Sequence, residues 1–128
     1  MKMPSVMDRP ITVVVVDGHA GVREALCQRL GHLSRIGHVG AATALEPAVQ
    51  MVRDQAPTVV LYDPRTVAGD AVDAVKRLTQ AGGRVIVLTS SLGEDEATML
   101  RQAGAVAVLL KGIESAALLG QIEDVLAG

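Results

Sequence analysis

The feature that most constrains this chain is an uninterrupted run of β-branched residues near its start, Ile11–Val16. Such side chains are stiff at the Cβ atom and favour an extended backbone. The run has almost no alternation between apolar and polar residues, which is typical of a strand buried on both faces of a parallel sheet. It stops at Asp17-Gly18, a pair that favours a turn. We therefore predict a buried strand that ends at a polar loop.

Four further segments have strand character, and a helical pattern follows each strand. The other predicted strands are Ile36–Thr43, Thr58–Tyr62, Arg84–Leu88 and Val106–Leu110. The predicted helices are Val22–Leu33, Glu46–Gln55, Asp70–Ala81, Glu94–Ala103 and Glu114–Leu126, with Pro57, Gly82-Gly83 and Gly104 placed where helices should end. Alternating strands and helices with short links predict a doubly wound α/β domain, in which helices cover both faces of a five-stranded parallel sheet.

Composition restricts the function of this domain. The 128 residues are 49% hydrophobic and 20% charged, enough for one domain with its own core. Tyr62 is the only aromatic residue and the net charge is −2 without a basic cluster, which argues against direct nucleic-acid binding. Cys27 is the only cysteine, so an internal disulfide is excluded. With neither a bilayer-length apolar stretch nor a signal peptide, we predict a cytoplasmic protein without membrane contact.

Polar residues follow four of the predicted strands. The first strand leads into Asp17, the third into Asp63, the fourth into Thr89 and the fifth into Lys111. In an open parallel sheet these ends line one crevice, where ligands bind. Carboxylates are ligands that Mg²⁺ prefers, and an aspartate beside such a metal can attack a phosphoryl group. An ammonium and a hydroxyl can hold phosphoryl oxygens. The set therefore indicates phosphoryl chemistry.

Each of these residues also has an ordinary structural interpretation. Asp17 and Thr89 could cap the helices that follow them, and Asp63-Pro64 could start a turn. Lys111 could be a solvated loop charge. The functional hypothesis depends on the four residues occurring together at strand ends of one sheet.

The segments VVVVDGHAGVREAL, PTVVLYDPRT, VIVLTSS and GAVAVLLKG, in this order, resemble the receiver domain of two-component response regulators. The resemblance extends from about Ile11 to Leu126. DGH-x-x-VRE and the ending LLK look most like receivers that precede a LuxR-type helix-turn-helix domain. The resemblance implies a flavodoxin-like sheet with strand order 2-1-3-4-5, an N-terminal extension at residues 1–10 and a receiver domain at residues 11–128.

The resemblance also implies roles for individual residues. Asp63 matches the phosphoacceptor, Asp17 matches an acidic Mg²⁺ ligand, and the backbone carbonyl of Arg65 would complete the metal site. Thr89 matches the switch hydroxyl, and Lys111 matches the lysine that contacts the phosphoryl group. The implied partners are a histidine kinase and a DNA-binding output domain outside this chain. No enzymatic activity is expected of the receiver itself.

Departures from the family pattern modify these expectations. Gly18 stands where a second acid is usual, which predicts weaker Mg²⁺ binding, and an aspartate at this position is expected to tighten it. Val67 replaces a common proline, Val108 replaces an aromatic residue that swings inward on phosphorylation, and Gly112 follows the lysine where a proline or an acid is common. The alternative is a phosphorylation-independent interaction or ligand-sensing module.

Two further hypotheses come from other motifs. Asp17-Gly18-His19 begins like the cobalt-ligating motif of cobalamin-binding domains, but Val22 replaces the glycine of that motif, so this interpretation is less favoured. The last predicted helix has an apolar stripe formed by Leu118, Leu119, Ile122, Val125 and Leu126. The stripe predicts a weak homodimer through this helix, with burial in the chain's own core as the alternative.

Overall fold

The computed structural model describes residues 10–56 and 58–127, and it confirms the predicted doubly wound fold. Five parallel strands lie in the order β2-β1-β3-β4-β5. The strands are β1 (Ile11–Val16), β2 (Ile36–Ala42), β3 (Thr58–Tyr62), β4 (Gly83–Thr89) and β5 (Ala107–Leu110). The helices are α1 (Ala20–Gly31), α2 (Leu45–Gln55), α3 (Ala71–Gln80), α4 (Glu94–Ala103) and α5 (Ser115–Ala127).

The apolar core has two layers because successive strand residues point to opposite faces of the sheet. Val14 and Val60 face the layer beneath α2, α3 and α4. Val15 and Leu61 face the layer beneath α1 and α5. Residues on both faces of β1 and β3 are therefore buried, which explains why their sequences lack the alternation of a half-exposed strand.

Most predicted boundaries differ from the observed ones by one or two residues, and the largest difference is in α1. This helix begins and ends two residues earlier than predicted. His19 is the N-cap, and its Nδ1 atom accepts a hydrogen bond of 3.2 Å from the Val22 amide. Leu33 lies beyond the helix but still packs against the core layer beneath α1 and α5. Apolar periodicity located the buried face, whereas the cap determined where the helix starts.

Parts of the predicted domain organisation lie outside the described residues. These are residues 1–9 of the proposed N-terminal extension, Pro57 and Gly128. The division at residue 10 stays a prediction. No helix in the described ranges is both long enough and apolar enough to cross a membrane.

The apolar stripe of α5 is used inside the molecule. Leu118 and Ile122 are buried in the layer shared with α1, and the other members of the stripe pack against the same layer. Among the described residues, the large hydrophobic side chains classed as exposed are instead Met99, Val106 and Leu110. The stripe therefore offers little free apolar surface to a second molecule, and the homodimer stays a prediction.

Candidate functional site

The two acidic residues leave the sheet side by side because β1 and β3 are paired in register, with Val16 opposite Tyr62. The Asp63 amide donates to the Val16 carbonyl at 3.1 Å, which continues the ladder one residue beyond β3. Asp17 is 1% exposed and Asp63 is 2% exposed. Ionised carboxylates are costly to bury without partners, so the contacts of these two groups decide what the site can do.

Lys111 bridges the two carboxylates. Its amide donates to the Thr89 carbonyl at 3.0 Å, which places the side chain at the end of β5. The Nζ atom lies 2.6 Å from Asp17 Oδ2 and 2.5 Å from Asp63 Oδ2. Burial lowers the pKa of the Lys111 ammonium, but the hydrogen bonds and charges of the two aspartates raise it by more, so the pKa lies above its ordinary value. The ammonium is therefore charged at neutral pH.

Backbone and hydroxyl donors satisfy the other two carboxylate oxygens. Asp17 Oδ1 accepts from the His19 amide at 2.8 Å and from Thr66 Oγ1 at 3.1 Å. Asp63 Oδ1 accepts from the Arg65 amide at 2.8 Å. Each carboxylate oxygen thus has a donor, and both aspartates are held in defined orientations by the loops that follow β1 and β3.

Thr89 is fully buried at the end of β4, where its hydroxyl points toward the loop that precedes α4. Thr89 Oγ1 donates to the Ser91 carbonyl at 3.4 Å. The same carbonyl accepts from Arg65 Nε at 3.3 Å, and Arg65 also forms an ion pair of 3.3 Å with Glu96. The structure therefore brings Asp17, Asp63 and Lys111 into direct contact and places Thr89 beside them. The hydroxyl of Thr89 is engaged elsewhere.

Sequence reasoning missed Thr66, which joins the loops after β1 and β3. Its Oγ1 atom accepts from the Gly18 amide at 3.0 Å and contacts Asp17. A Cβ atom built on Gly18 would lie 2.0 Å from the Thr66 carbonyl oxygen. The available signal was Gly18 itself, since a glycine often marks a close approach of another backbone. The expectation that an aspartate at position 18 would tighten metal binding assumed open space that is not there.

The cobalamin hypothesis gains nothing from the position of His19. The ring caps α1 through Nδ1, and the residue contacts Asp17 through its backbone amide. A cavity of about 280 Å³ does adjoin Lys111, between α1 and the end of β4, and Val22, Leu26, Arg29 and Leu88 form part of its wall. This cavity is where the ligand-sensing alternative would place a small molecule.

The donor set suits a hard cation. In the described part of the chain, no three side chains among His, Cys, Asp and Glu cluster closely enough to form a metal site of their own. Mg²⁺ does not require such a cluster, because it commonly takes one or two carboxylates together with water and phosphate oxygens. Asp17 and Asp63 fit that requirement.

Comparisons with known proteins bear on the family and the fold of this chain. Residues 13–123 match the family described as "Response regulator receiver domain". The chain is 31% identical over 120 residues to response regulator GacA of Pseudomonas aeruginosa, covering 92% of this chain and 56% of that protein. It is 30% identical over 108 residues to transcriptional regulatory protein LiaR of Bacillus subtilis, covering 83% of this chain and 51% of that protein.

A solved structure shares the fold over most of the chain. The LuxR-family two-component response regulator from Aurantimonas sp. SI85-9A1 superposes with a TM-score of 0.82 at 25% identity, covering 93% of this chain and 86% of that one. The chain spans about half the length of the curated relatives it matches. With the family match, the flavodoxin-like strand order and the likeness to LuxR-family regulators taken together, the chain belongs to the response regulator receiver family and is a signal-transduction receiver domain.

Proposed function

We propose that Asp63 accepts a phosphoryl group from a histidine kinase and that the receiver passes this signal to a transcriptional output. The observation that carries the proposal is the bridge from Lys111 to two buried carboxylates at the ends of β1 and β3. Such a bridge places a nucleophile and a fixed cation at one crevice, as phosphoryl transfer requires.

The proposed transfer uses Asp63 as the nucleophile and Lys111 as a fixed cation beside it. A carboxylate oxygen of Asp63 attacks phosphorus, and the phosphorus–nitrogen bond of the kinase phosphohistidine breaks as the new oxygen–phosphorus bond forms. The imidazole keeps the electron pair of that bond and takes up a proton. Lys111 already touches Asp63, so its ammonium is in place to contact the phosphoryl oxygens. The Thr89 hydroxyl would have to exchange its bond to Ser91 for a phosphoryl oxygen.

The residues that would hold Mg²⁺ are Asp17, Asp63 and the backbone carbonyl of Arg65. When bound, the cation offsets negative charge on the acceptor and the phosphoryl oxygens. Gly18 supplies no carboxylate, so we propose that this site binds Mg²⁺ more weakly than a pocket with three acids.

The relatives support the proposed output. LiaR is named as a transcriptional regulatory protein, and the solved relative is described as LuxR-family. This chain matches about half the length of such proteins. We propose that a DNA-binding domain outside this chain contacts DNA. The receiver then acts through protein contacts without touching nucleic acid. We place the receiver in the cytoplasm, without enzymatic activity of its own, and retain a weak homodimer as part of the proposal.

The deciding experiment is phosphorylation with a small donor. Incubation with acetyl phosphate and Mg²⁺ should add one phosphoryl group by intact-protein mass spectrometry, and Asp63→Asn should add none. Asp124→Asn, on the exposed side of α5, is the matched control and should behave like the wild type. A folded wild-type protein that takes up no phosphate at saturating donor and Mg²⁺ would refute the proposal. It would favour the phosphorylation-independent module, with the cavity beside Lys111 as the first place to seek a ligand.

A further inference from the structure

We infer that Thr66 is a positioning residue of the Mg²⁺ site and that it acts as a pair with Gly18. This inference rests on the proposed function only in assuming that Asp17, Asp63 and the Arg65 carbonyl hold the cation. The residues in question belong to two loops, one from Asp17 to His19 after β1 and one from Asp63 to Asp70 after β3.

The Thr66 hydroxyl joins the two loops by acting as acceptor and donor at once. It accepts from the Gly18 amide at 3.0 Å and donates to Asp17 Oδ1 at 3.1 Å. A hydroxyl has the hydrogen and the lone pairs for both contacts, whereas an apolar side chain of the same shape has neither. Asp17 is thereby held from the side opposite Lys111, which contacts the other carboxylate oxygen.

The two loops that Thr66 joins carry different ligands of the proposed metal site. Asp17 belongs to the first loop and the Arg65 carbonyl to the second, directly before Thr66 in the chain. The Arg65 amide meanwhile donates to Asp63 Oδ1 at 2.8 Å, so the second loop also orients the phosphoacceptor. Groups that hold a metal ligand in place typically contribute 10–100-fold to metal affinity. Thr66 is such a group here.

Gly18 makes this arrangement sterically possible. Any other residue would place its Cβ atom 2.0 Å from the Thr66 carbonyl oxygen and 3.0 Å from its carbonyl carbon. These are main-chain atoms, so relief requires a shift of the loop rather than a rotation of a side chain. Counting charges alone predicts that Gly18→Asp tightens Mg²⁺ binding. The geometry points the other way, because the new side chain displaces the loop that positions two ligands.

The experiment is a Mg²⁺ titration of ¹⁵N-labelled protein, followed by the amide resonances of the two loops. Thr66→Val keeps the shape of the side chain and removes the hydroxyl, and it should weaken Mg²⁺ binding by about 10–100-fold. Thr66→Ser restores the hydroxyl and should return the affinity to within about threefold of the wild type, a loss smaller than that range. Far-UV circular dichroism confirms that each variant is folded.

Phosphorylation by acetyl phosphate at varied Mg²⁺ supplies a second measurement. Thr66→Val should raise the Mg²⁺ concentration for half-maximal rate by the same factor as the dissociation constant, while the rate at saturating Mg²⁺ changes much less. A general loosening of the domain would not separate these two quantities.

Two variants at position 18, with and without a charge, test the steric argument independently. Gly18→Ala introduces the obstructing Cβ atom without charge and should also weaken Mg²⁺ binding. Gly112→Ala, beside Lys111, is the matched control because its Cβ atom would meet nothing within 4 Å. Gly18→Asp should bind Mg²⁺ no more tightly than the wild type.

The outcomes separate this inference from the proposed function. Equal Mg²⁺ affinity in Thr66→Val and the wild type would overturn the inference, as would equal losses in Thr66→Val and Thr66→Ser or a wild type that binds no Mg²⁺. Tighter binding by Gly18→Asp would overturn the steric argument. If Mg²⁺ binds with the expected dependence on Thr66 but Asp63 takes up no phosphate, the positioning role stands and the proposed function fails.

Discussion

The centre of the sheet, formed by β1 and β3, and its β5 edge are built differently. All residues of β3 and all but one of β1 are buried, and the carboxylates that follow these strands are fully hydrogen-bonded. No residue of β5 is fully buried, and Leu110 at its end is 62% exposed. The central strands therefore hold the two carboxylates within a fully packed sheet, whereas the edge strand is less buried.

This difference bears on how a signal could cross the domain. Val108 is half-buried against the layer beneath α2, α3 and α4. As a valine, it has no aromatic ring that could swing inward. Arg65, in the loop after β3, contacts the Ser91 carbonyl in the loop before α4 and forms an ion pair with Glu96 in α4. Under the proposed function, a change at Asp63 reaches α4 through polar loop contacts rather than through a core aromatic residue.

The largest expected effect on stability comes from removing the Lys111 ammonium, which bridges Asp17 and Asp63. Lys111→Met leaves two adjacent buried carboxylates without their shared partner, and loss of one member of a buried ion pair costs about 3–5 kcal/mol. Urea denaturation should show this loss, and Mg²⁺ should restore part of it by supplying positive charge. Lys76→Met, on the exposed side of α3, should leave the free energy of unfolding nearly unchanged. Equal effects of the two variants would mean that the Lys111 bridge contributes no stability.

A second prediction compares a leucine of the central strand β3 with a leucine of the edge strand β5. Leu61→Ala removes a side chain that is 1% exposed in β3 and should lower the free energy of unfolding by about 2–5 kcal/mol. Leu110→Ala removes one that is 62% exposed in β5 and should change it by less than about 0.5 kcal/mol. Chemical denaturation measures both. A large loss in Leu110→Ala would show that the edge is as tightly packed as the centre.

The smallest expected effect concerns the pKa of Tyr62, which precedes Asp63 at the end of β3. Burial, followed by the charges of Asp63, Asp70 and Glu96, raises this pKa to about 12. Because the unfolded chain ionises near its ordinary value of 10.0, this group leaves the free energy of unfolding unchanged below that pH and lowers it as the pH rises toward 12. The raised pKa of Lys111 acts in the same direction at alkaline pH.

Tyr62 is the only tyrosine, and the chain has no tryptophan, so its phenolate absorbance can be followed without interference. The shift should persist in Asp63→Asn because burial is the larger cause. Phenolate that forms near pH 10 while circular dichroism still shows a folded protein would contradict the assigned burial.

The sequence predicted the fold well because the patterns that indicate its strands and helices are local. The β-branched runs identify strands buried on two faces, and the parallel order brings Asp17, Asp63, Thr89 and Lys111 to one edge. Thr66 could not be found in this way, since its contact with Gly18 joins residues 48 apart in the chain. That contact depends on the course of the loop after β3, which includes Gly69 at a φ of +109°. The sequence likewise could not show whether the α5 stripe packs inside the chain or against a second molecule, because both uses need the same apolar pattern.

The close approach of Gly18 and Thr66 also limits how this pocket can change by mutation. The atom that blocks position 18 is a main-chain carbonyl, so no substitution at position 66 removes it. An evolutionary path that adds an acid at position 18 must first change the course of the segment between Pro64 and Gly69. The opposite order passes through an intermediate in which the new side chain and the loop compete for one space. Two-site libraries that vary position 18 together with this segment should therefore yield functional acids at position 18 that single-site libraries do not.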